Sequence, residues 1–169
     1  MTPFILKEAG ISDTGLISQL GHEIWRQVYP PIIGEEQVEY MLERMYNTET
    51  LNHQITQEGH SFFIAFVDDV AMGFVACSFH HGAEHNRTRI HKLYLYPTVQ
   101  GKGLGAKMVN HIEVLSKQQG DVALELNVNK YNPALHFYQK IGFAIESEIV
   151  LDIGQGYVMD DYIMVKVLE

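Results

Sequence analysis

Residues 99–107 read VQGKGLGAK and place three glycines, Gly101, Gly103 and Gly105, at alternate positions. They lie between a strand-like run that ends in proline and a run with the periodicity of a helix. A glycine-rich turn of this kind leaves backbone N–H groups uncovered, and the N-terminus of the following helix adds partial positive charge. With Lys102 and Lys107 close by in the sequence, the stretch predicts a loop that binds an anion.

Two familiar phosphate loops do not fit this spacing. The stretch lacks the G-x-x-x-x-G-K-[ST] pattern of a P-loop, and it lacks the third glycine position and the element order of a dinucleotide fingerprint. An isolated glycine loop is otherwise a flexible connector. The surrounding sequence therefore has to identify the anion.

The chain around the loop alternates between strand and helix patterns. Together they predict an α/β (α+β) fold with a mixed, mostly antiparallel sheet of about seven strands flanked by helices. Asp68 and Asp69 mark a tight turn in a β-meander, and the prolines at 30 and 31 are expected to stop the first helix. The predicted strands cover residues 4–9, 60–69, 70–81, 88–97, 122–129, 143–153 and 157–168, and the predicted helices cover residues 14–29, 34–47, 48–59, 104–120 and 132–142.

Length and composition favour a single domain over residues 1–169. The 169 residues, 46% of them hydrophobic, are enough for one full core and few for two. The sequence shows no leader pattern, and its apolar runs are shorter than a membrane span. The single cysteine, Cys77, is interpreted as a buried strand thiol. We expect a soluble, cytoplasmic protein without a membrane partner.

Charge is distributed unevenly along the chain. The net charge of −9 argues against nucleic-acid binding, which needs clustered Lys and Arg. Residues 87–140 nevertheless carry eight of the twelve basic residues against three acids. A basic middle in an acidic chain suits an anionic cofactor and a cationic substrate, although solvated helix faces explain the same pattern.

Two motifs in order point to a family. Residues 100–105, QGKGLG, match the Q/R-x-x-G-x-G/A signature of the GCN5-related N-acetyltransferase (GNAT) superfamily, directly after a strand and at the start of a long helix. Residues 132–143, NPALHFYQKIGF, resemble the next motif of that family, whose small residue, tyrosine and Gly-Phe pair are here Ala134, Tyr138 and Gly142-Phe143. The element order is similar over nearly the whole chain. The resemblance implies the acyl-CoA N-acyltransferase fold and an acetyltransferase.

The resemblance also implies acetyl-CoA (coenzyme A) as the cofactor. The loop backbone would wrap its pyrophosphate, and the strand before the loop would pair with its pantetheine arm and polarise the thioester carbonyl through a backbone amide. Members often have an asparagine where this chain has Tyr131, so Asn129 or Asn132 would take that pantetheine contact. The implied cofactor residues are Leu93, Tyr94, Leu95, Gln100, Gly101, Lys102, Gly103, Leu104, Gly105, Ala106, Asn129, Asn132 and Tyr138.

Tyr138 matches the tyrosine that in many members protonates the departing thiolate. The chemistry asks for such a group independently, because a thiolate leaving group gains from a proton and an amine must be neutral to attack. Helical spacing alone describes Tyr138 as a core aromatic residue. The motif instead favours a catalytic acid in a direct attack within a ternary complex.

The general base is left open by the sequence. Histone-acetylating members have a glutamate eleven residues before the position of Gln100, and that place is Arg89 here. His91 stands where arylalkylamine-acetylating members have a histidine, and its pKa range suits a base. The alternatives are an ordered water, Glu23, Asp160 and Asp161. The histidine-rich residues 80–85, HHGAEH, have no recognised ligand spacing, and we expect no metal.

The acetyl acceptor depends on the first third of the chain. Its aromatic and acidic residues would attract a cation, although they equally describe a core and a solvated face. The segments EEQVEYMLERMY and GYVMDDYIM look similar to bacterial polyamine-type acetyltransferases, which favours a small cationic amine or polyamine over a peptide amine. The residues in question are Trp25, Tyr29, Tyr40, Tyr46, Glu23, Glu35, Glu36, Glu39 and Glu43.

Other classes remain compatible with this sequence. A non-catalytic acyl-CoA-binding module would bind coenzyme A without turnover. A nucleotide-binding domain would be stabilised by ATP or NADH rather than by coenzyme A. An exposed apolar final strand would also permit a homodimer.

Overall fold

Strands alternate with helices throughout the computed structural model, which describes residues 3–169. The strands are β1 Phe4–Ala9, β2 Ser61–Val67, β3 Val70–His81, β4 Arg87–Leu95, β5 Ala123–Asn129, β6 Ala144–Gly154 and β7 Tyr157–Val167. The helices are α1 Thr14–Val28, α2 Pro30–Ile33, α3 Glu35–Met45, α4 Thr48–Thr56, α5 Leu104–Gln118 and α6 Ala134–Lys140. Short 3-10 turns precede α1 and follow β4.

The seven strands form a sheet in the order β1-β2-β3-β4-β5-β7-β6. β4 pairs with β5 in parallel through residues 87–89, and α5 makes the connection between them. The pairs β1–β2, β2–β3, β5–β7 and β6–β7 are antiparallel. The predicted mixed, mostly antiparallel α/β sheet with flanking helices is therefore confirmed. No helix within residues 3–169 combines the length and hydropathy needed to cross a bilayer.

Residue contacts divide the chain into two compact units, each of which is described by itself. The first unit takes the described residues up to Ser78 together with Lys92–Asn110, and the second takes Phe79–His91 together with His111–Glu169. The first unit contains the helices α1 to α4, the loop after β4 and the start of α5. The second contains the pairing of β5, β6 and β7 and the helix α6.

The core of the first unit is built on helices with apolar stripes. Ile17, Leu20 and Ile24 of α1 are buried, as helical spacing predicts. β2 and β3 are buried on both faces in their middle parts, which explains their nearly continuous apolar sequences. Between them, Asp68 (φ 50°) and Asp69 (φ 65°) form the predicted two-residue hairpin turn.

The first helix, α1, ends at Val28, just before prolines 30 and 31, but these prolines do more than stop it. They begin α2, because proline is tolerated in the first turn, where its missing N–H would have no helical partner. Likewise, α6 begins at Ala134 rather than Pro133, and the side-chain oxygen of Asn132 accepts a hydrogen bond from the Ala134 N–H at 2.9 Å. Both differences concern helix ends, where local hydrogen bonding decides the first residue.

Candidate functional site

The glycine loop connects the 3-10 turn Pro97–Val99 to α5 in the first unit. Gly101 (φ 78°) and Gly103 (φ 79°) adopt left-handed backbone conformations, which a side chain would strain. A Cβ at either position would meet no atom within 4 Å. These glycines are therefore required by the backbone conformation and leave open space beside the loop.

The loop presents backbone donors to that space. Among the residues that the structure describes, the N–H groups of Gly101, Lys102 and Gly103 donate to no partner, and all three residues are exposed. The first helical hydrogen bond of α5 runs from the Lys107 N–H to the Gly103 oxygen at 3.2 Å. The N–H groups before Lys107 therefore have no partner inside the helix and lie at its N-terminus. Clustered N–H donors at a helix N-terminus fit the negative charge of a phosphate group.

The loop is fastened to β4 by the side chain of Gln100. Its Nε2 donates to the Leu95 carbonyl oxygen at 3.0 Å, which fixes the end of the strand relative to the loop. Lys102 and Lys107 are both exposed, and the Lys107 Nζ lies 5.8 Å from the ring centre of Phe4. Lys102 is thus the loop cation with more freedom to reach a bound anion.

The end of β4 approaches β3 unusually closely. A Cβ at Gly73 would lie 2.1 Å from the Tyr94 carbonyl oxygen, so only glycine fits there. The Tyr94 ring packs against Trp25 and Phe74, both at 5.8 Å between ring centroids. Because this half-buried ring packs against those two aromatic residues, we expect a ligand contact at Tyr94 to involve its backbone.

The aromatic and acidic residues of the early helices divide into two groups. Trp25 and Tyr46 are buried core residues with ring centroids 5.6 Å apart, which is the simpler of the two interpretations given by the sequence. The acids are exposed, and Glu39 pairs with Arg26 at 2.8 Å. Glu35, Glu36 and Glu43 of α3 face solvent.

Glu23 is a poor candidate for a general base. It accepts hydrogen bonds from the Tyr96 hydroxyl and from Gln19. The Tyr96 hydrogen bond lowers the pKa of the Glu23 carboxyl, so this carboxylate takes up a proton less readily than an ordinary glutamate.

Tyr138 lies in the second unit near the end of α6. It is 8% exposed, and its ring centroid lies 5.2 Å from that of Phe137 and 5.6 Å from that of Phe143. The Tyr138 ring thus packs against an aromatic neighbour on α6 and another just after it. The two nearby asparagines organise the turn between β5 and α6, because the Asn129 side-chain oxygen accepts from the Tyr131 N–H at 2.9 Å and that of Asn132 accepts from Ala134.

His91 is half-buried in the second unit, beside a second histidine. Its ring centroid lies 6.4 Å from that of His81, and the His81 Nε2 lies 3.1 Å from the Glu125 carboxylate. Of the other candidate bases in this unit, Asp160 lies 2.8 Å from the Lys130 Nζ, and Asp161 is buried with a pKa raised by that burial. The structure thus places His91 next to a histidine that contacts a carboxylate.

Comparison with known proteins identifies the family. A model of the acetyltransferase (GNAT) family matches residues 21–143. The chain belongs to the GNAT family. GNAT proteins are acyltransferases that use acetyl-CoA, which confirms the expected reaction class and donor.

Several GNAT relatives are similar over much of the chain. Spermidine N(1)-acetyltransferase of Thermoplasma acidophilum is 26% identical over 146 residues, which cover 83% of this chain and 88% of that protein. The crystal structure of the PaiA N-acetyltransferase of Thermoplasma acidophilum, in complex with coenzyme A, has a TM-score of 0.81 at 25% identity and covers 98% of this chain and 99% of that one. N-alpha-acetyltransferase 50 of Danio rerio is 29% identical over 94 residues, 54% of this chain and 55% of that protein.

The histidines at positions 80 and 81 of this GNAT chain contact different carboxylates. His80 donates its backbone N–H to Asp121 at 3.0 Å and lies 2.9 Å from the same carboxylate through its ring, while His81 contacts Glu125. Across residues 3–169, no three His, Cys, Asp or Glu side chains group in a way that could hold a metal ion.

Sequence reasoning named Asn129 but missed the polar face of β5 that this residue shares with two others. Glu125, Asn127 and Asn129 alternate with the buried Leu126 and Val128. This period of two was visible in the sequence ELNVN, because alternate residues of a strand lie on the same face. The strands that pair with β5 on its two sides are β4 and β7, and only the sheet pairing shows this.

Proposed function

We propose that this GNAT enzyme transfers the acetyl group of acetyl-CoA to a primary amine, with a small amine or polyamine as the favoured acceptor. Acetyl-CoA supplies the acyl group already activated as a thioester. The observation that carries the proposal is the glycine loop, whose exposed, unpartnered N–H groups at the start of α5 fit a pyrophosphate. The name of the spermidine N(1)-acetyltransferase relative supports the choice of acceptor.

The proposed donor site uses backbone more than side chains. Residues 100–106 hold the pyrophosphate, with Lys102 adding charge, and the backbone of residues 93–95 holds the pantetheine arm. Gln100 keeps these two segments in register through its hydrogen bond to Leu95. Asn129 and Asn132 keep the turn before α6 in shape, and one of them contacts the pantetheine arm.

The proposed acid is Tyr138, which gives its hydroxyl proton to the departing sulfur. Its aromatic neighbours hold the ring in place, and orientation of the donor is what general acid catalysis requires. His91 is the proposed base, either directly or through an ordered water. The lowered pKa of Glu23 and the ion pair of Asp160 with Lys130 disfavour those two alternatives.

The acceptor proposal also rests on charge. The exposed acids of α3, with a chain net charge of −9, attract a cationic amine.

We further propose a single N-acetyltransferase domain over residues 1–169 in the cytoplasm, with the homodimer as a prediction. A peptide amine is the second candidate, supported by the 29% identity to N-alpha-acetyltransferase 50 over 94 residues; a non-catalytic acyl-CoA-binding module is the third.

Thiol release at saturating acetyl-CoA tests the proposal directly. The acceptor panel contains putrescine, spermidine, an arylalkylamine, and peptides with a free N-terminus or a lysine. We expect turnover with the polyamines to exceed that with the peptides by at least about tenfold, the factor that a 1.4 kcal/mol difference in transition-state binding produces. Turnover with peptides alone would overturn the acceptor proposal. Coenzyme A binding with no turnover on any amine would favour the binding module.

A further inference from the structure

The second unit carries three polar side chains on one face of the sheet. β5 contributes Asn127 and Asn129, and β7 contributes Asp161. Asn129 pairs directly with Asp161 in the β5–β7 register, and Asn127 pairs with Ile163, two residues further along β7. Cross-strand partners and residues two apart on a strand share a face, so the three side chains are neighbours.

Two oxygen atoms in this group lack the hydrogen bonds that burial requires. Asp161 is 2% exposed, and its Oδ1 has no partner among the described residues. The buried Oδ1 of Asn127 is likewise unpartnered within that part of the chain, although the Asn127 side chain also hydrogen-bonds to the Asp161 carboxylate. An unsatisfied buried polar group costs about 1–3 kcal/mol, and more when it is charged. Two adjacent acceptors of this kind indicate a place for a ligand that donates N–H or O–H groups.

Charge determines which ligand fits. The basic residues whose charges act on the Asp161 carboxyl, lowering its pKa, are Arg89 and Lys130. Lys130 pairs with Asp160 at 2.8 Å and with Glu148 at 3.3 Å. The charge of Arg89 acts on both Glu125 and Asp161. Because Lys130 is paired with other carboxylates and the open atoms are acceptors, the group favours a ligand that donates N–H groups and disfavours an anion.

We propose that Asp161 and Asn127 form a subsite for the protonated, non-reacting amino group of a diamine or polyamine. This inference rests on the proposed function and specifies its acceptor. The amine that attacks must be neutral, whereas a neighbouring carboxylate stabilises the protonated form. The subsite therefore holds the end of the acceptor that does not react, and it selects diamines over monoamines.

Calorimetric titration of the full chain without acetyl-CoA tests the subsite by binding alone. The probes are putrescine, butylamine and 1,4-bis(trimethylammonio)butane, whose two quaternary nitrogens have no N–H to donate. We expect Asp161→Asn to raise the Kd for putrescine about 10- to 100-fold, as for loss of a charged hydrogen bond, and Asn127→Ala to raise it about fivefold. The exposed Glu49→Gln of α4 removes one negative charge from a helix residue outside Asp161 and its sheet neighbours, and it is expected to leave the Kd within twofold.

Asp161→Asn and Asn127→Ala together separate a loss of binding from a folding defect. Melting temperature and coenzyme A affinity are measured for each, and Asn127→Ala carries the test if Asp161→Asn does not fold. Unchanged putrescine binding in both variants would mean that a buried water satisfies these atoms, and would overturn the subsite. Equal affinity for putrescine and its trimethylammonium analogue, or no putrescine binding by the unaltered chain, would also overturn it. Putrescine binding that depends on Asp161 without any acetyl transfer would support the subsite and overturn the proposed reaction alone.

Discussion

Lys92 is a buried cation in the core of the first unit. It is 4% exposed, its Nζ donates to the Gln54 Oε1 at 2.9 Å, and it lies 5.4 Å from the ring centre of Phe62 and 5.8 Å from that of Tyr46. Burial lowers the pKa of the Lys92 ammonium to about 8. One amide oxygen and two aromatic faces thus replace the water that this charge has lost.

Stability is expected to depend on pH through Lys92. Its folded-state pKa lies below the unfolded value of 10.5, so the unfolded chain binds more protons between pH 8 and pH 10.5. The free energy of unfolding therefore rises with pH in that window. Relative to Lys92→Met, the unaltered chain is expected to gain about 2 kcal/mol between pH 7 and pH 10, measured by urea denaturation. The exposed Lys102→Met is the control, and an equal pH slope in both variants would contradict the prediction.

Tyr138→Phe separates the catalytic from the packing interpretation of this tyrosine. Removing the hydroxyl leaves the ring to pack against Phe137 and Phe143, so the fold and the coenzyme A affinity are expected to remain. The kcat is expected to fall about 100-fold, the lower end of a general acid contribution. Steady-state kinetics at saturating acetyl-CoA measures it. Tyr131→Phe, at a residue 75% exposed, is the matched control, and a kcat within twofold of the unaltered chain for Tyr138→Phe would favour packing alone.

At the scale of elements, the junction between β4 and α5 depends on two left-handed glycines. Replacing Gly103 (φ 79°) by alanine creates no clash, because a Cβ there meets no atom within 4 Å. The left-handed conformation nevertheless costs alanine about 1–2 kcal/mol. We expect the loop backbone to relieve that strain by rotating, which would turn its N–H groups away from the bound pyrophosphate. We expect Gly103→Ala to weaken coenzyme A binding at least about tenfold by calorimetry, because one such donor to a charged group accounts for that much.

Gly120 provides a control with the same backbone cost. It has φ 85°, a Cβ there also meets no atom within 4 Å, and it lies beyond the other end of α5. Gly120→Ala is expected to lower the melting temperature by a similar amount and to leave coenzyme A affinity unchanged. Equal affinity losses in the two variants would refute a specific role for the loop.

At the scale of the whole molecule, ligand-dependent melting distinguishes the possible anions. Binding to the folded chain stabilises it by about 2.7 kcal/mol at 100 times the Kd. For a chain of this length that corresponds to a rise of roughly 5–10 °C in melting temperature. Coenzyme A is expected to produce such a rise, and ATP and NADH at the same concentration are not. Stabilisation by ATP or NADH alone would exclude the proposed role of the loop.

Most of the chain could be predicted because its signals are local. Helical spacing in α1 and strand patterns in β2 and β3 each report a buried face through a few neighbouring residues. The two aspartates at 68 and 69 specify a turn by their own backbone preferences. The same holds for the glycine loop after β4, because its glycines, a lysine and the start of a helix lie within eight residues of one another.

The acceptor side could not be predicted in the same way. The sequence describes Trp25 and Tyr46 equally well as a cation site or as core, and only the tertiary structure shows that both are buried. It also describes Asp160 and Asp161 as equivalent neighbours, whereas folding pairs Asp160 with Lys130 and buries Asp161. Burial and partners are set by chain segments far apart in sequence, which no local pattern records.

The sequence by itself determined the family, the element order and the loop that fits a pyrophosphate, because each depends on residues close together along the chain. The tertiary structure decided which buried polar groups have hydrogen-bond partners. Asn127 and Asp161 are 34 positions apart, and only the β5–β7 pairing places their unpartnered oxygens on one face. That difference has a physical cause: backbone preferences are local, whereas desolvation and hydrogen bonding depend on what the fold brings alongside.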